Sequence, residues 1–287
     1  MMRVPAIPPL PGLPSREQAW RWLLPVFLLL LFLFALLWLP WQAQRMESTE
    51  RQEQLIADTL WVEQTVRFQL SRNEESLRLV ASDMAAGYLD GKKWDDRMDA
   101  LLRSSRELAR VVWLDPQGRQ IASTDDGVEL SLADLSLPSR QALEKARDTR
   151  LPRYVQPVRG TTGTVTMDYH VPLVRGSQYL GNLVATYTTA SILDQLVPWW
   201  FAQENEILLT DSDDTVLDRR ASGGPGRNVY THSRALDLPG VAITLRTNSI
   251  KSEPKLLPNL LVGSVILLSL GLLWSLSALW RDINRRL

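Results

Sequence analysis

The run TVTMDYHVPLV, residues 164–174, alternates polar and apolar side chains. In an extended strand, residues two apart share a face. Thr164, Thr166, Asp168 and His170 therefore project together. Thr186 and Thr188 share a face in LVATYT, and Arg153 and Tyr154 stand just upstream in LPRYVQP. A guanidinium and several hydroxyls on one sheet face suit a small anion, held by charge-assisted hydrogen bonds. Asp168 adds a complication, because a carboxylate there receives an amine. The ligand class thus stays open between carboxylates and amino acids. The plainer alternative is a polar, solvent-facing side of an antiparallel sheet. The candidate ligand set is Arg153, Tyr154, Thr166, Asp168, His170, Thr186 and Thr188.

Other chemistry finds little footing. The chain has two histidines, His170 and His232, and no cysteine, too few ligands for a zinc site. The GTTG stretch at 160–163 lacks the lysine and following helix of a phosphate loop. Asp211, Asp213 and Asp214 open like a calcium loop, but Val216 holds its sixth position and Ser222 its twelfth, where glycine and glutamate are required. No nucleophilic triad follows from isolated residues. The expected catalytic set, metal set and cofactor set are empty, and no enzymatic activity is assigned.

The elements that must position the polar face lie between two apolar runs. Residues 22–41 and 256–280 contain no charged side chain. At about 1.5 Å per residue each reaches ~30 Å, the thickness of a bilayer core. Trp20, Trp22, Trp38 and Trp41 bracket the first run, and Trp274 and Trp280 lie near the end of the second; indole favours the headgroup interface. The first run is too long for a signal peptide and WQAQ offers no cleavage site. Arg3, Arg16 and Arg21 precede it, and Arg281, Arg285 and Arg286 follow the second, which places both ends in the cytoplasm. The intervening segment holds 26 basic and 30 acidic residues, a net charge of −4, while the whole chain is neutral. Neutrality argues against a nucleic-acid partner. Absence of cysteine suits a bacterial envelope protein. The expected layout is a Pro-rich cytoplasmic tail (1–21), a first span (22–41), a stalk helix (42–86), a membrane-distal subdomain (87–197), a smaller proximal subdomain (198–254), a second span (255–280) and the start of a signalling helix (281–287).

Within the outer segment, Ile56, Leu70, Leu77 and Met84 recur on one sevenfold phase of a long helix, Val66 and Val80 lie on another, and Leu60 and Val62 thicken the stripe. Such a seam either packs on the protein's own sheet or joins two chains in a parallel dimer; both are expected, the dimer nearer the membrane. VVWLDPQGRQIAST reads as strand, tight turn, strand, with Pro116 and Gly118 in turn positions. LPSRQALEKARDT is a short helix. TVTMDYHVPLV and YLGNLVATYT form a hairpin through RGSQ. At an offset of 96, ILLTDSDDTVLD repeats the first hairpin, with Asp211 on Asp115 and Asp214 on Gly118, and LPGVAITLRT echoes YLGNLVATYT.

Long helix, strand-turn-strand, helix, hairpin and a shorter second copy, carried mainly by VPLVRGSQYLGNLVATYTTASILDQLVP, resemble the double Cache (tandem PAS-like) sensor domain. With LWRDINRRL the layout is similar to the sensor halves of bacterial histidine kinases for four-carbon dicarboxylates. The resemblance covers about 59–287. It implies an α+β fold with antiparallel sheets between two transmembrane helices in the inner membrane, a periplasmic site for a small ligand, a homodimer, and a histidine-kinase or response-regulator system as cytoplasmic partner. A chemoreceptor or cyclic-dinucleotide enzyme takes the same kind of input. The kinase's phospho-accepting histidine has no counterpart here, since both histidines fall in the outer segment. The competing expectation is a membrane adaptor or regulatory subunit without a transmitter of its own.

Overall fold

The computed structural model describes residues 16–125, 134–252 and 259–286. The chain divides into two compact units, Arg51–Ser252 and a unit made of Met1–Glu50 with Glu253–Leu287.

The unit Arg51–Ser252 is built on α1 (Arg16–Ala86). Val62, Val66, Leu70, Leu77, Val80 and Met84 are all buried in one hydrophobic core. The seam thus packs on the protein's own sheets, while Ile56 stays exposed. Gly87 ends the helix with positive φ, and the amides of Gly87 and Tyr88 return to the carbonyls of Met84 and Asp83. α2 (Gly91–Ser104) buries Trp94, Met98 and Leu101, a helical spacing of four and three.

The first sheet follows. β1 (Leu108–Leu114) turns into β2 (Gln120–Ser123). Asp115 Oδ1 accepts from the amides of Gln117 and Arg119 at 2.8 and 2.9 Å, and Gly118 takes φ 81°. α3 (Leu137–Thr149) starts at Ser136, whose hydroxyl accepts from the Ser139 amide. Two short strands, β3 (Arg153–Tyr154) and β4 (Val158–Arg159), lead to the hairpin β5 (Val165–Arg175) and β6 (Gln178–Thr188). All pairings are antiparallel, in the order β2-β1-β6-β5-β3, with β4 also on β5. α4 (Thr189–Leu196) and α5 (Trp199–Glu204) then connect to the second sheet.

That sheet comprises β7 (Asn205–Thr210), β8 (Val216–Arg220), β9 (Thr231–Leu238) and β10 (Val241–Ser249), ordered β8-β7-β10-β9. The order is that of β2-β1-β6-β5. Asp211 Oδ1 accepts from the amides of Asp213 and Thr215, and Asp214 sits at φ 62° where the first copy has Gly118. The second copy has no helix between its two hairpins; the segment 221–230 takes that place. The core cluster is continuous from α1 into both sheets.

The second unit contains the first part of α1 and α6 (Asn259–Arg286). Among the described residues, no helix is long and apolar enough to cross a membrane. The side chains of residues 22–41 and 255–280 lie in large part outside the described residues, and the two expected spans fall there.

Candidate ligand site

The two faces of the first sheet meet different partners. On β5 the odd residues Val165, Met167, Tyr169, Val171 and Leu173 join the α1-centred core. The even residues face α3. Strand register lines up three rows on that side: Arg153, His170, Val184 and Val112; then Asp168, Thr186 and Arg110; then Thr166 and Thr188. Adjacent strands stand about 4.8 Å apart, and neighbouring rows are two residues, roughly 7 Å, apart along the strand.

Asp168 and His170 are tied to α3. Asp168 accepts from Thr186 Oγ1 at 2.7 Å on one oxygen and from Ser139 Oγ at 2.9 Å on the other. Ser139 Oγ also lies 2.9 Å from His170 Nε2, and Asn182 Nδ2 lies 2.7 Å from His170 Nδ1. One proton order satisfies all four contacts. The Asn182 amide donates to Nδ1, Nε2–H donates to Ser139, and the Ser139 hydroxyl donates to Asp168. His170 is fully buried. Burial lowers its pKa to about 4, the nearby Asp168 charge acting in the opposite sense. The ring is therefore neutral at physiological pH. Serine, histidine and aspartate here have the composition of a nucleophilic triad but the wrong order. Serine stands between the other two, whereas a nucleophile needs the histidine in the middle. The cluster fastens α3 to the sheet.

The remaining expected residues divide. Arg153 lies on the α3 side, opposite His170. Thr188 caps α4, accepting from the Ser191 amide and donating to the Ser191 hydroxyl at 2.6 Å. Thr166 sits directly opposite it, half-exposed. Tyr154 is not brought to this face. It pairs with Tyr169 and is only 2% exposed, with its ring 4.5 Å from that of Tyr169 and 6.1 Å from that of Tyr187. Adjacent strand residues point to opposite sides, so Arg153 and Tyr154 cannot share one. Burial pushes the Tyr154 phenol well up and that of Tyr169 to about 12.

Two residues join the face that the sequence reading passed over, Arg110 on β1 and Arg140 on α3. The Nε atoms of Arg110, Arg140 and Arg153 are all buried without a hydrogen-bond partner. Each guanidinium offers five donors in a fixed fork. Buried donors are normally satisfied, and these three orphaned Nε atoms belong to one side of one sheet. By register, Arg110 and Arg153 stand on opposite sides of the Asp168–His170 pair, and Arg140 follows Ser139 on the helix above. Asp168 is the carboxylate of this face, and both of its oxygens already accept hydrogen bonds. The sequence did carry a sign of Arg110: it shares the phase of Val112 and Leu114 in an otherwise apolar strand.

On the second sheet the corresponding face is occupied at one end. Segment 221–230 lies on its corresponding face. The Gly226 amide donates to Glu206 Oε2 at 3.0 Å and the Asn228 amide to Asn248 Oδ1 at 2.8 Å. A Cβ on Gly226 would fall 2.1 Å from Asn248 Cγ.

No family model matches the chain. Over 248 residues it is 26% identical to the C4-dicarboxylate transport sensor protein DctS of Rhodobacter capsulatus. The chain is a homologue of a dicarboxylate sensor. The match takes in 84% of this chain but 35% of DctS, about a third of that protein's length. Among solved structures, an extracellular ligand-binding receptor from Desulfohalobium retbaense superposes with a TM-score of 0.53 at 13% identity, over 68% of this chain and 40% of that one. The ligand-binding domain of the Pseudomonas aeruginosa amino acid chemoreceptor PctB, in complex with L-Gln, gives 0.51 at 12% identity, over 75% and 97%. The fold is that of extracellular receptor domains, and the double Cache resemblance holds.

Proposed function

We propose that this chain is the sensing part of a transmembrane receptor that binds a small carboxylate outside the cytoplasm and passes the signal inward. The observation that carries the reading is the set of three guanidiniums, Arg110, Arg140 and Arg153, with buried, unpartnered Nε atoms on the α3 side of the first sheet. A dianion bridging them neutralises two of the three charges and satisfies the orphaned donors. Asp168 has both oxygens engaged within the protein, so it is a poor seat for an amine. That favours a four-carbon dicarboxylate, in keeping with the name of the sequence relative, over an amino acid. The ligand is assigned to the membrane-distal copy, because the three arginines lie there and segment 221–230 occupies one end of the corresponding face of the second sheet.

A route from the site toward the second sheet is present. Thr188, in the lowest polar row, caps α4. The next residue, Thr189, donates to Asp218 on β8 at 3.1 Å. Arg220 on β8 donates to the carbonyls of Leu193 and Val197 near the end of α4, at 2.7 and 2.6 Å. Tightening α3 onto the first sheet therefore loads α4 and β8 together. Residues 22–41 and 255–280 act as the two inner-membrane spans in this reading, supported by the uncharged runs 22–41 and 256–280, the six flanking arginines and the exposure of Phe27, Leu30, Leu31, Phe32, Leu267, Leu268 and Trp274. The signal then reaches a histidine-kinase-type transmitter on the cytoplasmic side.

The test is thermal unfolding of the purified full chain with succinate, acetate or L-glutamine. At a hundred times its dissociation constant a ligand adds about 2.7 kcal/mol. A melting shift with succinate, absent with acetate and glutamine, is expected. A shift with glutamine alone assigns the site to amino acids, and no shift with any of them overturns the reading.

A further inference from the structure

A second opening lies on the α1 side of the first sheet, the reverse of the side that carries Arg110, Arg140 and Arg153. It is a cleft of about 360 Å³ between α1, the end of α2 and α4. Small-molecule sites run from about 300 to 1,000 Å³. Glu107, in the link from α2 to β1, lines this cleft and is only 2% exposed. Its Oε1 accepts from Asn73 Nδ2 at 2.5 Å and from Gln69 Nε2 at 3.2 Å, both on α1. Among the described residues, Oε2 has no hydrogen bond and no cation pairs with the group. Two cations do line the cleft, at a different level. Arg103 and Arg106 are exposed, the Arg103 side chain at 73%, and Arg103 reaches Asp99 at 3.9 Å rather than Glu107. The large apolar side chains of the lining are Phe68 of α1 and Leu196 of α4.

We infer that this cleft binds a short ω-amino acid, with an ammonium and a carboxylate at opposite ends of a methylene chain. The ammonium goes to Glu107. A carboxylate taken out of water is costly unless a cation with N–H donors meets it. Ser104 brings the carbonyl end of α2 to the same cleft, and that end also favours positive charge. The ligand carboxylate goes to Arg103 and Arg106, whose forked donors suit it. Ligands with a single charge fit worse. A plain amine meets two guanidiniums at the mouth, and a plain carboxylate meets Glu107 inside. The two signs stand at different depths, one nearly buried and the other in solvent. An α-amino acid carries both charges on one carbon and cannot serve both depths. A methylene chain between the charges reaches both, and its apolar middle lies against Phe68 and Leu196. No residue is shared with the dicarboxylate site beside α3.

Calorimetric titration of the full chain with δ-aminovalerate tests this. Saturable binding is expected, with glycine, butylamine and valerate each at least tenfold weaker. Glu107→Gln should weaken δ-aminovalerate at least tenfold while the ligand-free melting temperature stays at or above that of wild type. The amide oxygen still accepts from Asn73 and Gln69, and the unpaired charge is gone. Arg106→Glu, on the surface, should weaken binding by a similar factor with the fold unchanged. An excess of succinate should leave δ-aminovalerate in place, which separates this cleft from the site beside α3. Absence of binding, equal affinity for butylamine, or displacement by succinate overturns the inference. So does a Glu107→Gln chain of lowered melting temperature together with full affinity in Arg106→Glu, the result for a carboxylate that only anchors α1.

Discussion

Replacing Ser139 by alanine removes one hydroxyl at the point where α3 meets the first sheet. That hydroxyl accepts from His170 Nε2 and donates to Asp168 Oδ2, both at 2.9 Å. The neutral ring has no other partner for Nε2–H, and it is fully buried. Orphaning a buried polar group costs about 1–3 kcal/mol. Asp168 loses less, because Thr186 still donates to its other oxygen and the residue is only half-buried. The sum is about 2–4 kcal/mol. For a unit of this size each kcal/mol lowers the melting temperature by roughly 2–4 °C, so a fall of ~5–15 °C is expected. Tryptophan fluorescence during heating reads it directly. A double cycle with His170→Leu should show the two losses to be non-additive by about 0.5–3 kcal/mol, since both break the same contact. A Ser139→Ala melting temperature within a degree of wild type, or strict additivity in the cycle, refutes the buried chain from Asn182 to Asp168.

His170 binds its proton at about pH 4 in the fold and near 6.5 when unfolded. The unfolded chain therefore takes up more protons between those values, and stability should fall as pH drops from 6.5 to 4, by on the order of 3 kcal/mol. Urea titrations of wild type and His170→Asn across that window check it, the variant losing this component of the slope. Arg140→Ala should weaken succinate binding about ten- to a hundredfold, the loss of one charge-assisted partner, with little change in the ligand-free melting temperature; calorimetric titration reads the first and heating the second. Gly181→Ala should be far more damaging. A Cβ there meets the Leu114 carbonyl oxygen at 2.1 Å and the residue has φ 135°, so a loss of about 3–5 kcal/mol in urea unfolding is expected.

The duplicated hairpins were legible because their turns are chemical. Asp115 and Asp211 each fold the chain over one carboxylate oxygen, and that requirement leaves an aspartate at a fixed offset. The polar side of β5 was legible because strand parity is strict. The same parity, applied one residue further, separates Arg153 from Tyr154, and nothing in LPRYVQP marks β3 as only two residues long. Arg140 was hidden because its role depends on how α3 rotates over the sheet, which Ser139 decides through Asp168 and His170. The α1 seam was visible, but its partner was not. Periodicity says that a helix has an apolar side, while the choice between a sheet and a second helix is made by tertiary packing.

The loop 221–230 has a consequence for how a duplicated receptor works. By placing the Gly226 and Asn228 amides on Glu206 and Asn248, the second copy supplies its own occupant, covalently attached and always present. That end of its sheet is held by the chain itself. In the proposed reading the first copy, without such a plug, is the one that empties and fills. Under that reading the duplication provides a moving part and a fixed reference of nearly the same shape, so that what is reported inward is a difference between two halves of one chain rather than an absolute position. Shortening the loop would then convert the reference into a second variable, and the device would lose its zero.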